Sequence, residues 1–193
     1  MRKIKSKKEK EKEEKVKSIT LSIILIIILI ISTIGYVFFS NISNESIKKV
    51  KYNGINFYLF QDNRWHFNLD NREFSTYFNP KETLNTPFNL DSSLEISNYY
   101  NKPLYLHFEN NKQAEQEILY NLGSYFERIN HFCFPGENCS WVEKKCQDGN
   151  LLIIKESEVS LIMKEGGCVY LYYKESEDLK VADAFIFKLL KII

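Results

Sequence analysis

The chain has 193 residues and a formal net charge of +1 that hides an asymmetry. Residues 1–17 hold nine Lys and Arg against four Glu, a net of +5, which leaves −4 for the remainder. A mildly acidic remainder excludes nucleic-acid binding, which needs clustered Lys and Arg to displace counterions from phosphates.

Taken in order, the chain divides into four parts: a basic cytoplasmic tail (1–18), a transmembrane helix (19–39), a linker (40–51) and an extracytoplasmic α+β domain (52–193). In the tail, Glu11 with Lys15 and Glu13 with Lys17 have the order and spacing of stabilising helical pairs, which describes a solvated helix beside a membrane. Residues 19–39 (ITLSIILIIILIISTIGYVFF) contain no charge. As a helix they would extend about 31 Å, enough for a bilayer core. Basic residues before this segment and none in the SNISNES that follows place the N-terminus in the cytoplasm and the domain outside the cell membrane. The apolar run is too long for a cleaved signal, and no small-x-small site follows it. A pilin-type leader is disfavoured too, because Lys17, Ser18 and Ile19 offer no Gly or Ala processing point. Asn41, Asn44 and Asn138 each open an Asn-x-Ser glycan-acceptor match.

Residues 52–78 read as three aromatic-rich strands turned at Asp62-Asn63 and Asp70-Asn71, with Ile55, Phe57 and Leu59, then Trp65, Phe67 and Leu69, on one face. Asn79-Pro80 predicts a short helical turn over 81–84, and 85–102 a loop with one turn of helix at 92–96. Residues 104–108, 112–129 and 132–134 then predict a strand, helix, strand crossover with parallel strands. Three further strands follow at 151–155, 159–163 and 169–173, and an amphipathic helix at 177–193 closes the chain. The expected architecture is two helices against a mixed sheet.

Cys133, Cys139, Cys146 and Cys168 are an even set in an exported domain, which predicts disulfides. Three connectivities are possible. Cys133 with Cys139 would close the Pro135-Gly136 turn, and Cys146 with Cys168 would tie two strand starts together. Zinc needs closer Cys pairs than intervals of five, six and twenty-one residues provide, so no metal is expected. The candidate acid/base residues are His66, His107 and His131, each in or beside a strand, with His107 and His131 flanking the crossover. No nucleophile elbow, phosphate loop or dinucleotide fingerprint is present, and no cofactor is implied. Glu115, Glu117 and Glu127 read as the solvated face of a helix, and Tyr99, Tyr100, Tyr170, Tyr172 and Tyr173 as core or contact residues.

The YNGINF opening (52–57), the FNPKE turn (78–82), the stretch from Cys146 to Cys168 and the ADAFIFKLL helix from Ala182 carry a resemblance. Together with the anchor they resemble a group of uncharacterised archaeal single-pass membrane-anchored proteins with a Cys-containing extracytoplasmic α+β domain. The resemblance implies architecture and supplies no activity. The functional expectation is a non-catalytic cell-surface domain that binds or organises a protein partner while its anchor contacts the lipid bilayer. The alternatives are an envelope enzyme using the histidines, or a subunit of a surface filament or secretion apparatus.

Overall fold

A computed structural model describes residues 16–17, 19–30, 48–90, 93–108 and 112–193. The chain separates into two compact units, Met1–Ile47 and Lys48–Ile193.

In the first unit, residues 19–30 form helix α1, and the Thr20 hydroxyl donates to the Val16 carbonyl one turn earlier at 2.8 Å. Every residue from Ile23 to Ile30 is at least half exposed. The helix therefore carries apolar surface all round, with no polar face. Among the described residues no helix is long and apolar enough to cross a membrane. The rest of the expected span, 31–39, lies outside the described residues, as do most of the tail and linker.

The second unit is mixed α and β. It opens with an antiparallel meander of four strands: β1 (Lys49–Tyr52), β2 (Ile55–Leu59), β3 (Trp65–Leu69) and β4 (Arg72–Thr76). Strand β1 occupies the last three residues of the stretch read as linker. Its outward Lys49 and Lys51 made it look polar, while Val50 and Tyr52 pack inward. Asn53-Gly54 joins β1 to β2, and Asp70-Asn71 joins β3 to β4, with positive φ at all four residues, as two-residue hairpins of matching twist require. The alternation read in the sequence puts Phe57, Trp65 and Phe67 on the buried face, and Phe74 of β4 joins them there. Phe67 stacks on Phe74 at 5.2 Å and lies 4.6 Å from Phe57.

Asn79 caps the short helix α2 (Pro80–Thr83), accepting from the Lys81 amide at 3.0 Å while Glu82 accepts from the Asn79 amide at 2.8 Å. The segment expected as loop contributes a three-residue strand, β5 (Phe88–Leu90), and a 3₁₀ turn at Ile96–Asn98 in place of the turn expected at 92–96.

The remaining strands complete a seven-stranded mixed sheet in the order β5-β10-β11-β9-β6-β7-β8. They are β6 (Leu104–Phe108), β7 (Ile129–Cys133), β8 (Val142–Glu143), β9 (Leu151–Glu156), β10 (Leu161–Glu165) and β11 (Cys168–Tyr173). β6 and β7 are adjacent and parallel, joined through helix α3 (Lys112–Leu122), as the crossover reading expected. α3 stops seven residues earlier than its apolar stripe predicted. Gly123 opens a 3₁₀ turn, and Ile129 starts β7 while still packing on the same core, so the stripe outlasts the helix. The LLII of β9 is buried on both faces, the pattern of a central parallel strand.

Helix α4 (Asp178–Leu189) is buried continuously from Val181 to Phe187 because it lies between the two sheets. Phe187 meets Phe57 and Phe67 of the meander, each at 5.9 Å, while α4 packs on β10 and β11 from the other side. The meander is thus a separate sheet beyond the helices, where a single sheet was expected. Lys191 adopts positive φ after α4, and the Ile192 amide donates to Phe187 and the Lys191 amide to Lys188, which closes the helix as a Schellman motif.

The cysteines pair at disulfide distance as Cys133–Cys139 and Cys146–Cys168, with Cα separations of 6.5 and 4.9 Å. The second pair covers a smaller cluster of Phe132, Leu151 and Ile153 on the sheet face opposite the helices.

Candidate functional site

The three histidines stay apart. His66 lies on the meander, with Nε2 at 2.9 Å from Asp62 Oδ2 and Nδ1 at 3.2 Å from Glu73 Oε1. His107 and His131 sit on neighbouring parallel strands, but register pairs His131 with Leu106, so their side chains leave opposite faces of the sheet. His107 Nδ1 approaches the Phe132 carbonyl at 3.2 Å and Glu137 at 3.8 Å. His131 faces Glu115 at 3.7 Å and packs against the half-exposed Trp141 ring at 5.0 Å. Each histidine has its own carboxylate neighbour and no two share a pocket. Of the glycan-acceptor matches, Asn138 is exposed in the loop closed by Cys133–Cys139, and Asn41 and Asn44 lie outside the described residues. Tyr99 and Tyr173 belong to the core; Tyr170 and Tyr172 stack at 5.7 Å on the sheet face away from α4.

A different set of residues converges. Arg64, held in the turn before β3 by its amide's bond to Asp62 Oδ1 at 3.0 Å, reaches across to α3. Its Nη2 donates to both carboxylate oxygens of Glu117 at 2.7 and 2.8 Å and to the Ser75 carbonyl at 2.7 Å, and its Nε donates to Ser75 Oγ at 2.9 Å. Asn121, one turn along α3, accepts from the Ser75 amide at 3.0 Å and donates to Glu117 at 3.0 Å. Glu117 is thus 3% exposed, where the sequence placed it on a solvated face. Glu115 is also largely buried, and only Glu127 of the three is exposed. Helical spacing identifies which residues share a face but not that a second sheet covers that face.

Beneath Glu117 lies Asp183 of α4, with no exposed surface. Burial pushes the Glu117 carboxyl up, while the hydrogen bonds and charge of Arg64 pull it back. Burial and then the negative charge of Glu117 hold Asp183 well above the ordinary carboxylate range. Of the two carboxyls, Asp183 is the one pushed further toward its protonated form. Asp183 Oδ2 accepts from the Phe78 amide at 2.8 Å, and the neighbouring Glu117 side chain raises the Asp183 carboxyl further. The detectable signal was an acid inside VADAFIF, an apolar run too continuous for a one-sided helix.

Above this network a cleft of ≈ 610 Å³ opens, lined by Arg64, Tyr77, Gln113, Gln116, Glu117, Tyr120 and Leu179. The guanidinium carbon lies 4.3 Å from the Tyr77 ring centre and 5.3 Å from that of Tyr120. Both rings are exposed, Tyr120 by 73%. The cleft floor is therefore rigid and its rim aromatic. Among the described residues no group of three or more His, Cys, Asp and Glu is arranged to hold a metal. Comparison with protein-family models, curated proteins and solved structures finds no match.

Proposed function

We propose that this chain is a single-pass membrane protein that presents a non-catalytic binding domain outside the cell. The carrying observation is the cleft, where Arg64 is immobilised by Glu117 and Ser75 between the exposed rings of Tyr77 and Tyr120. Aromatic and Arg side chains whose conformations are fixed before contact lose little entropy on binding, and such residues dominate recognition surfaces. Glu117, the acid at the cleft floor, is occupied by Arg64, which suits it to hold the surface rather than to transfer protons.

Two further features support the tethered arrangement. Helix α1 is apolar on every side, which is stable only in an apolar surrounding, and the uncharged stretch continues beyond its described part to residue 39. Both cysteine pairs lie at disulfide distance, which fits an oxidising compartment.

Two measurements test the proposal. Protease added to intact native cells is expected to remove the domain and spare the tail. A photo-crosslinking amino acid at position 120 is expected to capture a cell-surface macromolecule that the same probe at Tyr172, on the opposite sheet face, does not. Equal capture at both positions, or none at 120, overturns the cleft as the contact surface. A domain protected from protease overturns the topology.

A further inference from the structure

We propose that the Arg64 cleft binds a neutral carbohydrate, its ring face laid on Tyr120 and Tyr77; this rests on the reading of the cleft as the contact surface and names its ligand class. The argument starts from charge. Both Glu117 oxygens accept from Arg64 Nη2 and balance its charge, and Arg64 Nε and Nη2 also bond Ser75. Among the described residues the other lining side chains, Tyr77, Gln113, Gln116, Tyr120 and Leu179, are uncharged, so together these residues present no net charge.

An anionic ligand would have to compete with Glu117 for Arg64 and leave that carboxylate buried without its partner, a strongly unfavourable exchange. A cationic ligand would meet the guanidinium. A wholly apolar ligand would strip water from the exposed Gln116 amide and return no hydrogen bond. What remains is a neutral molecule with an apolar face and a rim of hydroxyl groups. A sugar ring has that form: its C–H face packs on an aromatic ring, and its hydroxyls pair with amides, which both donate and accept. Tyr120 is the more exposed of the two rings, and ≈ 610 Å³ falls within the roughly 300–1,000 Å³ typical of small-ligand clefts. A protein partner would be expected to need a broader apolar centre than Leu179 provides here.

The test is calorimetric titration of the whole 193-residue chain in detergent micelles with neutral hexasaccharides of glucose, N-acetylglucosamine, mannose and galactose, and with a sulfated hexasaccharide. At least one neutral sugar is expected to bind. Tyr120→Ala should weaken that binding roughly tenfold or more, and Tyr120→Trp should recover most of it. Tyr172→Ala, on the far face, serves as the control and should leave the affinity unchanged. Because Tyr120 is largely exposed, its variants keep the fold, which circular dichroism checks. Absence of binding by every neutral sugar, binding of the sulfated one alone, or an affinity indifferent to Tyr120→Ala overturns the proposal. Crosslinking from position 120 into a polypeptide, with no sugar bound, overturns the carbohydrate assignment and leaves the contact surface standing. Failure of both removes both.

Discussion

At Asp183 a carboxyl is enclosed with one donor, the Phe78 amide, and one acceptor, Glu117, and this arrangement has a thermodynamic signature. Its ordinary value is 3.8, and in the folded chain it stands well above that. Between the two values the folded state binds the proton that the unfolded state has released, so stability falls as pH rises through that window. Below about 3.8 both states are protonated and the stabilisation is complete. Asp183→Asn keeps the acceptor for Phe78 and a donor toward Glu117 but cannot ionise. It should therefore gain stability relative to the unmodified chain as pH rises above the ordinary carboxyl value of 3.8, read as the difference in urea midpoints; a difference constant with pH would refute a raised Asp183. Arg64 gives the complementary test. Arg64→Leu strands the Glu117 charge and should cost about 3–5 kcal/mol, whereas Arg64→Leu with Glu117→Leu should recover much of that loss in a double-mutant cycle. The Arg64–Glu117 pairing was not legible locally: the two are 53 residues apart, and nothing near either one shows the other.

Among the elements, the Cys146–Cys168 pair closes a longer loop than Cys133–Cys139 and so contributes more than that pair does. It ties the 3₁₀ turn at Cys146–Asp148 to the start of β11, and the Gly167 amide donates to the Cys146 carbonyl at 2.9 Å. A side chain at Gly167 would run into the carbonyl oxygens of Cys146 and Gly149, so this close approach needs glycine. Loop-closure entropy predicts about 3 kcal/mol for replacing Cys146 and Cys168 by Ser, and about 2 kcal/mol for the shorter Cys133–Cys139 loop. Urea unfolding of the two double variants should rank them in that order. The pairing was among the sequence's expectations because each bridge had a turn or strand start to close. The C-terminal end of α3 was not, since Tyr125, Phe126 and Ile129 keep facing the core after the helix has ended.

At the scale of the whole domain, α4 joins the two sheets. Phe187 touches Phe57 and Phe67 on one side of a helix whose other side lies on β10 and β11. Phe187→Ala should cost about 3–5 kcal/mol and lower the meander and the large sheet together, so that Trp65 fluorescence and far-ultraviolet circular dichroism report one transition. Separate transitions would show that α4 does not couple them. By itself the sequence determined the alternating faces of the meander, the β6-α3-β7 crossover and the closing helix, and it favoured the cysteine pairing found, Cys133 with Cys139 and Cys146 with Cys168. All of these follow from periodicity or from short-range chemistry along the chain. Only the tertiary structure decided that the meander is a second sheet on the far side of α4. That placement turned Glu117 from a solvated acid into the partner of Arg64, buried Asp183 beneath it, and set Tyr77, just after the meander, beside Tyr120 of α3. The physical reason is that a periodic pattern shows which face of an element avoids water, while the neighbour that covers it comes from residues distant in the chain.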